Sequence, residues 1–65
     1  MTVFVLLGQI DYEGKGLLGV YSTREGAVSA KELYVANGRD FDSYVIEKRE
    51  LDGMALRNAD RVEYI

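Results

Sequence analysis

Residues 2–10 (Thr-Val-Phe-Val-Leu-Leu-Gly-Gln-Ile) place apolar side chains on both alternating sets, Val3, Val5 and Leu7 on one and Phe4, Leu6 and Ile10 on the other. Their β-branched and aromatic content predicts a strand. Apolarity on both faces predicts a central strand covered on both sides. Residues 11–16 are polar and include Gly14 and Gly16, which predicts a hairpin loop leading into a shorter second strand at residues 17–21.

Ser22-Thr23-Arg24-Glu25 fits a capping box in which the Ser22 hydroxyl and the Glu25 carboxylate satisfy free amides reciprocally. A helix is expected over residues 23–36, with Asn37-Gly38 as its left-handed stop. At 100° per residue, Gly26, Ala27, Ala30, Leu33 and Tyr34 form a small-residue stripe suited to close packing on a sheet. Glu25, Ser29 and Glu32 lie opposite, and Val28 and Val35 lie on the flank. A third strand is expected at about residues 43–51. It begins with the strand formers Tyr44, Val45 and Ile46, and it continues as Glu47-Lys48-Arg49-Glu50, which alternates in sign like a solvated edge. Asp52-Gly53 signals a turn. The tail at 54–65 has helical spacing at Ala55, Ala59 and Val62 but strand-like alternation at residues 61–65. A short helical turn after Gly53 and then an extended end are expected.

These elements predict an α+β fold, β-β-α-β with a C-terminal extension. The hairpin is antiparallel, and a right-handed crossover sets the third strand beside the first and antiparallel to it, giving a three-stranded antiparallel/mixed sheet of order 2-1-3 with the helix on one face. The loops at 11–16 and 38–42 then share one end of the sheet. Asp11, Tyr12, Glu13, Asp40, Phe41 and Asp42 become expected neighbours.

The succession Asp-Tyr-Glu-Gly, Leu-Leu-Gly-Val-Tyr-Ser-Thr, an alanine-containing helix and Phe-Asp-Ser-Tyr-Val-Ile-Glu resembles the small uncharacterised strand-strand-helix-strand domains encoded in bacterial and bacteriophage genomes. The resemblance covers about residues 2–52. It implies the fold and a phage-type accessory role, and it brings no established activity and no site.

Composition narrows the chemistry. At 65 residues and 7.3 kDa, residues 1–65 are read as one small domain. Such a chain buries only about 60% of its unfolded surface. Cysteine, histidine and proline are all absent, which excludes disulfides, thiolate chemistry and ordinary zinc sites. With 48% apolar and 29% charged residues the chain reads as globular, neither disordered nor membrane-embedded. No basic leader precedes the apolar run at residues 3–7, and that run is far too short to span a bilayer, so a cytoplasmic location is expected. A net charge of −3 and a pI near 4.7 argue against general nucleic-acid binding.

Catalysis lacks its commonest base and its best nucleophile, and no phosphate-cradling glycine pattern or Gly-x-Ser-x-Gly elbow occurs, so no enzyme activity and no cofactor are expected. The acidic end (Asp11, Glu13, Asp40, Asp42) has an ordinary reading as polar loops. Its functional reading is a partner-binding surface strengthened by Tyr12 and Phe41, with Phe41 read as a plug closing the end of the core ahead of a contact residue. Its spacing does not match a calcium loop, and no metal site is assigned. Val28 and Val35 form an alternative stripe for a partner helix. The sheet face opposite the helix needs a cover: the tail, a second copy or another protein. The chain is therefore expected to be a non-enzymatic protein-interaction module. It is read as a homodimer formed through the second sheet face, of a phage-type accessory or inhibitor kind that binds a host protein. The alternative is a small-ligand or nucleotide-binding protein with Tyr12, Arg39 and Phe41 at a dimer seam.

Overall fold

A computed structural model describes residues 1–38 and 41–65 of the chain. In chain order the elements are β1 (Thr2–Ile10), β2 (Gly14–Tyr21), α1 (Arg24–Ala36), β3 (Ser43–Asp52), β4 (Ala55–Leu56) and β5 (Arg61–Tyr64). The fold is α+β. An antiparallel sheet runs β2-β1-β3-β4, β5 also pairs with β3, and α1 packs on one face. The expected 2-1-3 order forms the middle of this sheet, with the doubly apolar β1 between β2 and β3.

A three-residue loop, 11–13, joins β1 to β2. The Glu13 N–H donates to the Ile10 carbonyl at 3.0 Å, and Gly14 follows at φ +89°. A left-handed residue closing such a turn is a position glycine fills without steric penalty. Pairing resumes at once with Gly14 opposite Ile10, so β2 starts earlier than the expected residue 17. Further along, Leu6 faces Gly19 while Leu7 faces Leu17, which leaves Leu18 as a bulge. The bulge resets the alternation, so that Leu17 and Val20, three residues apart, share one face. Leu18 joins the helix-side core, and Leu17 stands beside Leu7 on the other side.

Thr23, not Ser22, caps α1. It has extended backbone (φ −132°, ψ 155°), and its hydroxyl oxygen accepts from the Gly26 N–H at 3.0 Å. Glu25 is thereby the second helical residue and cannot complete a capping box. Gly26 sits in the third position, where an added Cβ would come within 3.1 Å of the Thr23 hydroxyl. At the far end the helix stops as expected: Gly38 takes φ +76° and its N–H donates to the Val35 carbonyl at 3.1 Å.

The buried cluster under the helix is Leu6, Ala27, Tyr44 and Ile46, with Phe4, Leu18, Tyr34 and Phe41 among the side chains packed around it. Leu33 departs from the expected stripe and is 65% exposed. The Tyr34 hydroxyl donates to the Leu18 carbonyl at 3.1 Å, and the Lys31 ammonium lies 5.8 Å from the centre of the Tyr44 ring. These contacts turn residues 27, 30, 31 and 34 toward the sheet, and Leu33 falls on the flank.

The chain beyond residue 52 corrects two expectations. No helical turn follows Gly53. This glycine (φ +63°) opens a two-residue hairpin that sets Ala55 opposite Asp52 and Leu56 opposite Leu51. After residues 57–60 loop out, β5 resumes pairing on the same side of β3, with Arg61 opposite Lys48 and Tyr64 opposite Val45. The sign-alternating half of β3 is therefore an interior strand and not an edge. Its charges divide by face: Glu47 and Arg49 point one way, Lys48 and Glu50 the other.

Removing the Thr23 hydroxyl isolates the cap. Thr23→Ala is expected to lower unfolding free energy by about 1 kcal/mol, while Ser22→Ala stays within about 0.5 kcal/mol of the parent, as surface changes usually do. Urea denaturation of the two variants checks this, and the reverse order would reinstate Ser22 as the cap.

Candidate functional site

The face away from the helix is built by register. Val5 lies between Val20 and Glu47, and Leu7 between Leu17 and Val45; beyond them Val62 faces Glu47 and Tyr64 faces Val45. All these side chains share one face, because directly opposed residues in an antiparallel pair point the same way. Val3, Val5 and Val45 are buried at its centre. Leu17, Val20, Val62 and Tyr64 surround them and are each 49–66% exposed. The tail does not fold over this face; it pairs edge-on and adds Val62 and Tyr64 to it.

Two charged side chains stand within the face, Glu47 and Arg49, and they are bonded to each other. The Glu47 Oε1 accepts from the Arg49 Nε at 2.9 Å and from its Nη2 at 2.8 Å. The remaining Arg49 nitrogen, Nη1, donates to the Arg57 carbonyl at 2.8 Å, which anchors the loop between β4 and β5. Lys15 marks one end of the face, opposite Gln9.

At the loop end the structure brings Asp11 and Asp42 together: the Asp11 N–H donates to the Asp42 Oδ2 at 2.8 Å, and the Asp42 N–H donates to the Gln9 carbonyl at 2.8 Å. Asp42 thus ties the two loops to each other. Tyr12 projects with 89% of its surface exposed, and Glu13 is exposed beside it. Phe41 turns inward. Its ring meets Tyr44 edge-on at 5.6 Å between centroids and lies so close over Gly8 that a Cβ there would come within 2.5 Å. Arg39 and Asp40, the other residues assigned to this end, lie outside the described residues. Among the described residues no three carboxylates gather closely enough to hold a metal ion. On the helix, Val28 is half-buried against the core while Val35 is exposed, so the pair does not form one open stripe.

Ion pairs tie the tail and the amino terminus to the rest. Arg24 on α1 reaches Glu63 on β5, its Nε donating to Oε1 at 3.0 Å and its Nη2 to Oε2. This hydrogen bonding, aided by the positive charges of Arg24 and Arg61, holds the Glu63 carboxyl below its ordinary value of 4.5. The amino-terminal ammonium and the Thr2 hydroxyl, in that order of effect, do the same for Glu50.

Residues 1–56 match the family described as a domain of unknown function, DUF7336, and the chain belongs to that family. The match spans β1 to β4 and ends before β5. No curated protein and no solved structure matches the chain. No helix among the described residues is long and apolar enough to cross a membrane.

Two expectations test this geometry. Gly8→Ala forces the Phe41 ring from its seat and is expected to destabilise by about 1–3 kcal/mol, the usual range for overpacking, as read by chemical denaturation; an unchanged midpoint would mean that the ring does not close the core. Glu50 and Glu63 both titrate below their unfolded values, so their stabilisation is complete above pH 4.5 and lost as pH falls through the folded values. The double variant Glu50→Gln, Glu63→Gln should therefore be less stable than the parent at neutral pH and lose less on acidification below pH 4.5. Equal pH slopes for the two proteins would contradict this.

Proposed function

We propose that this chain is a non-enzymatic protein-interaction module that pairs with a second copy of itself through the sheet face opposite α1. The observation that carries the proposal is the joint placement of Leu17, Val20, Val62 and Tyr64, each about half exposed or more, around a buried valine centre on a face that no element covers among the described residues. A contiguous apolar surface of this kind marks an interaction site.

Charge favours a second copy as the occupant. The chain carries a net charge of −3, so contact between most other surfaces sets carboxylate against carboxylate. In the middle of this face the only charges are one carboxylate and one guanidinium, already bonded to each other. A two-fold axis through such a face brings Glu47 near the partner's Arg49 without net repulsion. Pairing also gives a small domain the buried area it lacks alone. It leaves the 11–13 loop, with Tyr12 outermost, free to contact a different protein, the role expected of an accessory or inhibitor module.

Sedimentation equilibrium at micromolar concentration is expected to give twice the 7.3 kDa chain mass. Val20→Glu and Val62→Glu should each shift association to at least roughly tenfold higher concentration, since a charge buried without a partner at an interface costs more than the 1.4 kcal/mol of a tenfold change. Both positions are about half exposed in the single chain, and because Val62→Glu adds a carboxylate opposite Glu47, the fold of each variant is checked by circular dichroism against the parent. A parent protein that remains a 7.3 kDa monomer, or a dimer indifferent to both substitutions, would overturn the proposal.

A further inference from the structure

On the helix side, α1 packs against β1, β2 and β3 and reaches β5 only through the Arg24–Glu63 pair. The gap beneath that pair is a cleft of about 410 Å³, lined by Phe4, Arg24, Ile46, Lys48, Arg61 and Glu63. Register explains its composition. Phe4, Lys48 and Arg61 form one row across β1, β3 and β5, and Ile46 and Glu63 belong to the next row.

Three cations thus meet one carboxylate in a chain with more acidic than basic residues. Glu63 already gives both oxygens to Arg24. Lys48 and Arg61 oppose each other directly across the β3–β5 ladder, an arrangement that is destabilising for like charges. Among the described residues neither makes a side-chain hydrogen bond or an ion pair; Glu50 and Glu63 act on Lys48 and Arg61 only through space. Beside them lies an apolar floor, Phe4 half-buried and Ile46 buried at its base.

We infer that this cleft binds a small phosphate monoester with an aromatic body. The phosphate bridges Lys48 and Arg61, which compensates the opposed pair, and the ring lies on Phe4. The guanidinium of Arg61 offers a planar fork to two phosphate oxygens while the Lys48 ammonium supplies a point charge to the third. A volume of about 410 Å³ suits a ligand of one ring and one phosphate. The cleft and the self-association face lie on opposite sides of the sheet, so occupation of one is independent of the other.

The test is a titration of the full chain with phenyl phosphate, followed by amide chemical shifts and by melting midpoint, with inorganic phosphate and phenol as separate arms. Phenyl phosphate is expected to shift the amides of Phe4, Ile46, Lys48 and Arg61 on one saturable curve and to raise the midpoint. Inorganic phosphate should bind at least tenfold more weakly, and phenol should not saturate. Lys48→Gln and Arg61→Gln should each weaken phenyl phosphate binding at least tenfold. Lys15→Gln, on the other face, should leave binding unchanged. The inference is overturned by the absence of saturable shifts at these residues, by equal binding of inorganic and phenyl phosphate, or by binding that survives either charge change.

Discussion

A strand that is apolar on both faces sits at the centre of a sheet that, among the described residues, has one helix to cover it. Every other feature answers to that constraint. The side bearing Phe4 and Leu6 is closed by α1, whose Ala27 and Ala30 allow close approach, and by Tyr44 and Ile46 from β3. The side bearing Val3, Val5 and Leu7 has no such cover among the described residues. Its central valines are buried by the side chains beside them, and the rim those side chains form is apolar. Hydrophobic burial is the main favourable term in folding, and on this side the apolar surface still open to water belongs to that rim, Leu17, Val20, Val62 and Tyr64.

The helix side shows how a small domain closes a core with little material. Aromatic rings lie over glycines, Phe41 on Gly8 and Tyr21 on Gly19, so that sheet positions without side chains become seats for large ones. The helix is drawn toward β1 and β2 by the Tyr34 bond to Leu18, and the β3–β5 margin is left with only Arg24 reaching across. The cleft is a consequence of that displacement. β5, which lies beyond the residues matched by the family, supplies Arg61 and Glu63 to the cleft and Val62 and Tyr64 to the open face.

Much of this was legible in the pattern of residues. β1, the helix limits, the Gly38 stop and the order of the central strands follow from alternation, spacing and glycine placement, because each is decided locally or by connection rules. The misreadings occur where neighbours compete. Ser22 and Thr23 are equally competent caps, and β2 continues to Tyr21 so that two residues are needed to turn into the helix. Leu33 fits the ideal stripe, but bonds from Tyr34 and Lys31 set the helix rotation. The tail satisfies both periodicities, and it becomes strand because β3 offers an open edge along residues 45–52. At the loop end, the link between Asp11 and Asp42 follows from the shared sheet end, whereas the inward turn of Phe41 depends on the space above Gly8. The cleft had no signal at all along the chain: Lys48 and Arg61 are opposed only once the β3–β5 register is known.

The claim that a second copy covers the valine face is tested most directly by isotope-filtered NOE spectroscopy on an equal mixture of carbon-13-labelled and unlabelled chain. The account predicts cross-peaks between copies that join the methyl groups of Val20 and Val62 to the ring of Tyr64. Absence of any intermolecular contact on that face, or contacts confined to Leu33 and Val35 on the outer helix, would contradict it.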